Sequence, residues 1–138
     1  MLDIAGMQVE MPQGKLVMVS EQAILDIVRN NFGKRPIYFA VTCSNFAGLE
    51  KYLSMEGLVY RVTGELSNQS IDGKKLEENV YQVYRYPGSL DQKVYKDANT
   101  QRLVSNYGAG FARLGQYYSR SNQHEKAGDN FRKASDFA

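Results

Sequence analysis

The sequence predicts an α/β fold, with a small and mostly parallel β-α-β-α-β sheet followed by a C-terminal α-helical hairpin. Across residues 1–62, short apolar runs alternate with amphipathic stretches of helical period. That order is typical of strands joined by right-handed helical crossovers, which make neighbouring strands parallel. Residues 97–138 carry apolar side chains at helical spacing in two stretches, which predicts two helices packed against each other.

The first predicted elements are an edge strand, a buried strand and a helix. Residues 1–12 alternate loosely between apolar and polar side chains, and a Pro-Gln-Gly turn at 12–14 ends the strand. The apolar run at 16–19 predicts a short buried strand. Ser20 is a suitable N-cap for a helix that extends to about Asn30.

The second half of the predicted sheet follows the same order. Pro36 precedes an apolar run at 37–41, which is typical of a strand covered on both faces. Ser44 or Asn45 caps the next helix, and a third strand occupies residues 58–62. These elements complete the predicted parallel sheet.

The remainder of the chain is predicted to be helical. Asp72 caps a helix over residues 74–86, and Asp97 or Thr100 caps a long helix that ends near Arg120. A last helix over 124–137 follows Asn122, which resembles an N-cap. The chain thus divides into a small α/β unit, a helix with linkers and a helical hairpin, at 1–66, 67–96 and 97–138, and these parts could form one compact domain.

The two C-terminal stretches resemble a tetratricopeptide (TPR) helix pair. They follow the spacing large-x2-Leu-Gly-x2-Tyr…Ala-x3-Phe, with Phe in the place usually held by Trp. The residues that carry this spacing are Phe111, Leu114, Gly115, Tyr118, Ala127, Phe131 and Ala134. A single repeat cannot bury its apolar face alone. We therefore expect Phe131 and Phe137 to lack a neighbour within the chain, and a further repeat, another subunit or a second copy to cover them.

Composition excludes several functions. The 17 basic and 15 acidic residues leave a net charge of +2 without a basic block, which argues against nucleic acid as a partner. Cys43 and His124 are the single cysteine and histidine, so the sequence predicts no disulfide, no metal site and no cofactor. It has neither an apolar run of about 18 residues nor a signal-peptide pattern, so membrane association is expected only through a further segment.

Several central segments together resemble a known family. They lie at residues 24–31, 34–42, 48–53, 56–62 and 94–100. In this order they resemble the soluble C-terminal region of the DUF2723 family, membrane proteins similar to protein O-mannosyltransferases. The resemblance implies an extracytoplasmic (periplasmic) tail tethered to a glycosyltransferase-like membrane domain, with a cytoplasmic location as the alternative. It implies no catalytic residue here, because the presumed catalytic acids of that family lie in its membrane portion.

The loop after the second predicted strand is the first candidate binding site. Thr42, Ser44 and Asn45 would lie at the carboxyl end of the parallel sheet, where α/β proteins bind ligands. Their side chains and the free N–H groups of the next helix could hold an anion. The alternative is that Ser44 and Asn45 only cap that helix. Cys43 is expected to be a small, partly buried thiol rather than a nucleophile.

The inner face of the helical hairpin is the second candidate site. It carries Ala112 and Gln116 at positions where chaperone adaptors of the TPR family have Lys and Asn. A clamp for a peptide carboxylate is therefore not supported, and packing against a partner is at least equally favoured. Sugar stacking by the tyrosines is a weaker alternative, because aromatic residues at helical spacing more often pack in a core.

These observations predict a non-catalytic accessory or protein-interaction domain, belonging to a glycosyltransferase-like membrane protein by the resemblance above. Its expected partner is protein, with a homodimer as one possibility. The sequence leaves two alternatives open. One is a small-ligand or enzymatic α/β domain that uses the loop from Thr42 to Asn45, and the other is a freestanding TPR adaptor.

Overall fold

The computed structural model describes residues 1–11, 13–14, 16–67 and 71–138. Its chain separates into an N-terminal unit and a C-terminal unit. The N-terminal unit comprises Met1–Met55 and Val59–Ser70, and the C-terminal unit comprises Glu56–Leu58 and Ile71–Ala138. The described strands belong to the first unit, whereas the second is built from helices.

The chain begins with a β-hairpin rather than the single predicted edge strand. Strand β1, Leu2–Ile4, pairs antiparallel with strand β2, Met7–Val9. Ala5 and Gly6 reverse the chain with φ angles of 53° and 89°, the left-handed conformation that a two-residue hairpin turn requires. One face of the hairpin is fully buried in the core, and its side chains are Ile4, Met7 and Val9.

The apolar run that begins at Leu16, predicted to be a strand, leads instead into helix α1, Val19–Asn31. Met18 is the N-cap, and its backbone N–H donates to the Glu21 carboxylate at 3.0 Å. This cap starts the helix before the predicted N-cap, Ser20. The strand prediction was wrong because a four-residue apolar run has no distinctive period, and the local carboxylate cap decided its conformation.

The second sheet is antiparallel, which corrects the predicted parallel β-α-β-α-β arrangement. Strands β3, Tyr38–Ala40, and β4, Leu53–Met55, both pair antiparallel with the central strand β5, Val59–Val62. Glu56–Leu58 alone connects β4 to β5, whereas a parallel pair needs a crossover of about a dozen residues or more. The short connection therefore forces a hairpin.

The helix predicted to follow Asn45 does not form. Residues 41–49 make a loop that ends in a single 3₁₀ turn, Glu50–Tyr52. Ala47 and Gly48 have φ angles of 53° and 81°, and left-handed residues cannot continue a right-handed helix. The parallel sheet was predicted from helices that cross over between its strands. Because residues 41–52 form a loop and a 3₁₀ turn instead, β3 and β4 are not joined by such a helix.

The N-terminal unit closes around a mainly aliphatic core. Its largest fully buried side chains come from the first hairpin, from α1 and from the loop before the 3₁₀ turn. The Tyr52 hydroxyl accepts a hydrogen bond from the Gln8 backbone N–H at 2.8 Å, which ties that turn to the hairpin. The buried core cluster comprises Ile4, Met7, Val9, Leu25, Val28, Phe39, Ala47, Leu49, Tyr52, Leu53 and Val62.

The first helix of the C-terminal unit is short and passes from α-helical to π-helical geometry. Helix α2, Gly73–Glu78, is capped by Asp72, whose carboxylate accepts from the Lys75 N–H at 3.0 Å, as predicted. It continues directly into a π-helical turn, Asn79–Val83, and Tyr84 is extended. The helix predicted over 74–86 therefore ends early.

Side chains hold the π turn from both ends. The Asn79 amide donates to the Glu56 carbonyl, and the Tyr86 hydroxyl donates to the Val80 carbonyl at 2.7 Å. The Tyr86 hydroxyl thus gives the Val80 carbonyl of the turn a partner, whereas the Asn79 side chain ties the turn to the Glu56 backbone. Neither contact is visible in the sequence pattern.

The two predicted C-terminal helices are present. Helix α3, Ala98–Arg120, is capped by Asp97, which accepts from the Thr100 N–H at 2.7 Å. Helix α4, His124–Asp136, follows after a short turn. Its N-cap is Gln123 rather than the predicted Asn122, which instead reverses the chain with a φ of 57°.

Helices α3 and α4 pack as a close antiparallel pair. A Cβ on Gly115 would lie 2.8 Å from the Phe131 ring, and one on Gly108 would lie 3.0 Å from the Ala134 carbonyl oxygen. Phe131 remains 43% exposed. The other predicted packing positions are buried or partly buried: Phe111, Leu114, Gly115, Tyr118, Ala127 and Ala134.

Phe137 is not left without a neighbour, which corrects that expectation. Its side chain is 8% exposed and its ring stacks on Phe111 with centroids 5.7 Å apart. It also contacts the Tyr86 and Tyr107 rings at 5.3 and 6.0 Å. The C-terminal unit therefore buries this residue by itself.

Candidate functional site

The N-terminal unit contains a cleft of about 430 Å³. It lies where the end of β2, the segment before α1 and the loop after β3 meet. Among the residues that the structure describes, its lining comprises Glu10, Met11, Leu16, Val17, Met18, Glu21, Leu25, Asn45, Ala47, Gly48 and Glu50. Because they come from three separate parts of the sequence, the cleft is a product of the tertiary fold.

Apolar side chains form much of this cleft and continue outside it. Leu25 and Ala47 are buried at 4% and 7% exposure. Leu16 and Met18 are 96% and 64% exposed, although both line the cleft. We call Leu16 and Met18 the apolar rim. Single exposed apolar residues are ordinary, but apolar residues gathered beside a concave surface are typical of binding sites.

Asn45 joins the loop to the start of α1. Its side-chain oxygen accepts from the Ala47 N–H at 2.8 Å, and its amide nitrogen donates to Glu21 Oε1 at 2.9 Å. Glu21 Oε2 in turn accepts from the Met18 N–H at 3.0 Å. These hydrogen bonds fix one wall of the cleft and hold a carboxylate in it.

Two more carboxylates lie around the cleft. Glu50 is an exposed residue at the start of the 3₁₀ turn. Glu10 forms an ion pair with Lys51, with Nζ and Oε1 3.0 Å apart and both side chains more than 60% exposed. The described lining residues include these three glutamates and neither lysine nor arginine. The described lining thus combines apolar side chains with three carboxylates, of which Glu10 is paired with Lys51.

The structure separates the predicted binding residues of the loop. Thr42, Ser44 and Asn45 are all exposed, but of these only Asn45 lines the cleft. The helix whose N-terminus was expected to help hold an anion does not form at this loop. Moreover, the side chain that bonds to Asn45 is the carboxylate of Glu21, which would repel an anion.

Sequence reasoning missed Leu16, Met18 and Glu21. The apolar run at 16–19 was visible, and its interpretation as a buried strand hid its exposure. A signal was present in Glu21, three residues after Met18, because a glutamate at that position can bond back to the N-cap backbone. That pattern predicts a helix starting at the end of the apolar run.

The predicted residues of the helical hairpin lie in the other unit. Ala112 is half-buried on α3, and the exposed Gln116 accepts a hydrogen bond from the Arg113 guanidinium at 3.3 Å. Cys43 is exposed, whereas a partly buried thiol was predicted. Among the residues that the structure describes, no group of three or more His, Cys, Asp or Glu side chains is placed to hold a metal ion.

The tyrosines of the C-terminal unit pack mainly as a core. Tyr86 contacts the Tyr107 ring edge-on at 4.8 Å, and burial raises the pKa of Tyr86 to about 12. Burial also raises the pKa of Tyr118. The Tyr81 hydroxyl donates a hydrogen bond to the side-chain oxygen of the buried Asn130 at 2.8 Å. These aromatic side chains stabilise the unit internally, as the core-packing interpretation predicts.

A comparison with protein families locates the chain among known proteins. The family described as TMEM260-associated domain 2 matches residues 2–80, which is more than half of the 138 residues. The chain belongs to this family. Every described residue that lines the cleft falls within the matched range, whereas α3 and α4 lie beyond it. No curated protein and no solved structure matches the chain.

This finding corrects the family predicted from the sequence. The matching family is TMEM260-associated domain 2 and not DUF2723, so the inferred tie to a glycosyltransferase loses its support. The helix pair is present, but the comparisons do not support its assignment as a TPR. In the part of the chain that the structure describes, no helix has the length and apolarity needed to cross a membrane.

Proposed function

We propose that this protein is a non-catalytic interaction domain that binds a segment of a partner protein in the cleft of its N-terminal unit. The observation that carries the proposal is the apolar rim, since Leu16 and Met18 are 96% and 64% exposed beside a cleft walled by the buried Leu25. Covering apolar surface contributes roughly 25 cal/mol for each Å² removed from water. A partner that covers this rim therefore gains affinity.

The extent of the apolar surface favours a chain segment as the ligand. Leu16 lines the cleft and is 96% exposed, so an occupant that covers its side chain on all sides must be larger than the cleft. An extended or helical segment can place one side chain in a cleft and others along its rim. A compact small molecule covers the cleft alone.

Family membership supports an accessory role. The family description, TMEM260-associated domain 2, names an associated domain and no reaction, which is in keeping with a non-catalytic role. The cleft lies wholly in the matched range, which favours the N-terminal unit as the location of a function shared by the family. The extracytoplasmic location and the homodimer stay predictions.

Binding of a small molecule in the same cleft is the second candidate function. The cleft volume of about 430 Å³ falls within the range of roughly 300–1,000 Å³ found for small-molecule pockets. Asn45, which was predicted to bind a ligand, lines it. However, both polar ends of the Asn45 amide already bond within the protein, which leaves fewer groups to orient a small ligand. The partner segment is therefore the preferred ligand.

The test is a selection of peptides on the full chain. Peptides from a phage-displayed library of random dodecamers are selected on the wild-type protein, and each is then synthesised. Binding is followed by NMR on protein labelled with ¹³C in its methionine methyl groups. Met11 and Met18 line the cleft, whereas Met7 and Met55 are buried at 0% and 4% exposure and serve as internal controls.

We expect the selected peptides to shift the Met11 and Met18 signals and to leave Met7 and Met55 nearly unchanged. The double variant Leu16→Ser/Met18→Ser should bind them at least about tenfold more weakly, because both exposed apolar contacts are lost. A matched double variant, Ile27→Ser/Leu66→Ser, removes two apolar residues that are 58% and 69% exposed and lie outside the cleft. It should bind normally.

Two results would contradict the proposal. One is a selection that yields no binding peptide. The other is a set of peptides that bind without moving Met11 or Met18. Fragment-sized apolar compounds that shift the same two methyl signals, in the absence of peptide binding, would favour the second candidate function.

A further inference from the structure

We propose that helix α3 carries a second interaction surface, which binds an acidic helix of a partner protein through Arg102, Arg113 and Arg120. We call these three residues the arginine stripe. They belong to the C-terminal unit, so this surface is independent of the cleft and of the function proposed for it. The position of the arginines, their pairing and the side chains between them support the assignment.

The three arginines lie on one face of α3. Arg113 and Arg120 follow Arg102 by 11 and 18 residues. A helix turns by about 100° per residue, so these spacings place the three residues within about 20° of one another around the axis. All three are exposed. With a rise of about 1.5 Å per residue, the stripe is about 27 Å long.

This face points away from the packing contacts of α3. The helix packs on α4 at Gly108 and Gly115, and its Leu114 is fully buried. These three positions lie at least about 100° from each arginine around the helix axis. A partner can therefore lie along the stripe without displacing α4.

The positive charge of the stripe is not offset within the described part of the chain. The segment Ala98–Arg120 contains neither Asp nor Glu, and none of its three arginines is in an ion pair with a described residue. The Arg113 guanidinium donates to the Gln116 side-chain oxygen at 3.3 Å, but an amide is neutral. Because arginine remains charged at any pH at which proteins fold, the sign of this surface is fixed.

The other α-helices differ from α3 in this respect. Each pairs a basic side chain with a carboxylate three residues away: Arg29 with Asp26 on α1, Lys75 with Glu78 on α2, and Arg132 with Asp129 on α4. Such local pairs stabilise a helix. The arginine stripe makes no such pair, so stabilisation of its own helix does not account for it. A carboxylate-bearing partner does.

The spacing of the stripe favours a helix as that partner. A second helix has the same rise and period, so carboxylates 11 and 18 residues after a first one form a matching row. Ala109 is exposed and lies on the same face between Arg102 and Arg113. Because the distance between packed helices depends on the side chains at the contact, this small residue lets a partner helix approach closely. Guanidinium groups on either side can then bind carboxylates through two hydrogen bonds each.

Nucleic acids and anionic membranes fit the stripe less well than an acidic protein helix does. Binding of nucleic acid depends on neutralising many phosphates, whereas the whole chain has a net charge of only +2. Helices that lie on membranes insert large apolar side chains. The residues between the arginines on this face, Ala109 and Gln116, offer none.

The test is a second peptide selection on the full chain, from a phage-displayed library of 20-residue peptides, since a helix of that length spans about 30 Å. Counter-selection uses the stripe variant, Arg102→Glu/Arg113→Glu/Arg120→Glu. This variant keeps the cleft intact, so the counter-selection also removes ligands of the cleft. Binding is followed by NMR on protein labelled with ¹³C in its alanine methyl groups. Ala109 reports on the stripe, and Ala127, at 4% exposure, is the internal control.

We expect the selected peptides to contain more Asp and Glu than the unselected library, to shift the Ala109 signal and to leave Ala127 nearly unchanged. The stripe variant should bind them at least about tenfold more weakly, because attraction becomes repulsion. Arg113→Ala should weaken binding about twofold to fivefold, the effect of one exposed ion pair. Raising KCl from 50 to 500 mM should weaken it several-fold by screening.

A matched variant controls for net charge. Lys74→Glu/Arg85→Glu/Lys93→Glu makes the same change in charge at exposed positions of the C-terminal unit outside α3, and it should bind within about twofold of the wild type. An unchanged Ala127 signal in every variant verifies that the helix pair remains folded.

Three results would overturn the acidic helix. One is a selection that yields no peptide dependent on the stripe. Another is a set of stripe-dependent peptides without acidic enrichment. The third is a DNA duplex of 20 base pairs, or phosphatidylglycerol vesicles, that bind the stripe more tightly than the peptides at 150 mM KCl, which would identify phosphate groups as the ligand. None of these results bears on the cleft, whose ligands are recognised by the Met11 and Met18 signals.

Discussion

The two units of this protein close their apolar surfaces in different ways. The C-terminal unit packs aromatic rings between helices, and its Tyr81 and Tyr86 hydroxyls find partners on Asn130 and on the Val80 carbonyl. The N-terminal unit has a mainly aliphatic core but leaves Leu16 and Met18 in water beside an open cleft.

The contrast shows where binding is to be expected. One depression in the C-terminal unit, of about 660 Å³, is lined mostly by polar side chains from the linker before α3, from α3 itself and from the chain end. The N-terminal cleft is smaller and more apolar. A concave apolar surface gains more on being covered than a wide polar one, so the N-terminal unit is the better binding candidate.

Removing a side chain from the helical core gives the largest expected effect. Leu114 is fully buried on α3, and Leu114→Ala should lower the free energy of unfolding of the C-terminal unit by about 2–5 kcal/mol. The measurement is urea denaturation followed by circular dichroism at 222 nm. Leu103→Ala on the same helix, where the side chain is 61% exposed, should cost less than about 0.5 kcal/mol. Equal losses would refute the description of this core as closed.

A pair of glycines tests how tightly the loop of the cleft is packed. Gly48 and Gly33 have nearly equal φ angles, 81° and 80°, but a Cβ on Gly48 would meet the Val9 side chain at 2.7 Å while one on Gly33 meets nothing within 4 Å. Both alanine variants carry a backbone penalty of about 1 kcal/mol or more. Gly48→Ala should cost about 1 kcal/mol beyond that.

The readout for the glycine pair is urea denaturation followed by the Met7 and Met55 methyl signals, since both lie in the N-terminal unit. If the two alanine variants are equally stable, then the close approach of the loop to β2 contributes nothing.

The Tyr86 hydroxyl is expected to link stability to alkaline pH. Burial raises the pKa of Tyr86 from its usual 10 to about 12 in the folded protein, so its contribution is complete below pH 10. It is lost as the pH rises from 10 through 12, because the unfolded chain releases the proton more readily. Tyr86→Phe should lower stability by about 1 kcal/mol at neutral pH and should flatten the decline above pH 10.

Denaturation of both proteins in urea at a series of pH values from 8 to 11.5 provides the measurement. Tyr95→Phe, at a side chain that is 89% exposed, is the matched control and should follow the wild type. The same pH dependence in wild type and Tyr86→Phe would exclude Tyr86 as its source.

The smallest expected effect concerns the apolar rim. Leu16→Ser/Met18→Ser should change the free energy of unfolding by less than about 0.5 kcal/mol, since highly exposed side chains contribute little to folding. The same variant is expected to lose peptide binding, so stability and binding should separate. A large loss of stability, measured by urea denaturation, would mean that these residues serve the fold rather than a partner.

Predictions from sequence succeeded where the deciding contacts are local. Asp72 and Asp97 cap their helices through hydrogen bonds to residues three positions later, and such short spacings can be read directly. The pairing of α3 with α4 also followed from sequence, because Gly115 lies at helical spacing beside larger side chains. These features need no knowledge of distant residues.

Predictions failed where distant residues or turn angles decide. The apolar runs at 37–41 and 58–62 were correctly placed as strands, but their direction depends on the loop between them. Ala47 has a left-handed φ of 53°, which is incompatible with the predicted helix. An alanine in the sequence gives no signal of this backbone conformation. Among the described residues that line the cleft, Asn45 alone was predicted to bind a ligand. The other walls come from segments far apart in sequence, so their meeting could not be read from it.

The amino-acid sequence by itself determined the two C-terminal helices, the helix caps at Asp72 and Asp97, and the overall charge. A helix joins each residue to one four positions away, so its period and caps are visible along the chain. Only the tertiary structure decided the antiparallel sheet and brought Glu10, Glu21 and Glu50 around one cleft. Strand pairing and clefts depend on non-local contacts, and several pairings are compatible with the same short apolar runs.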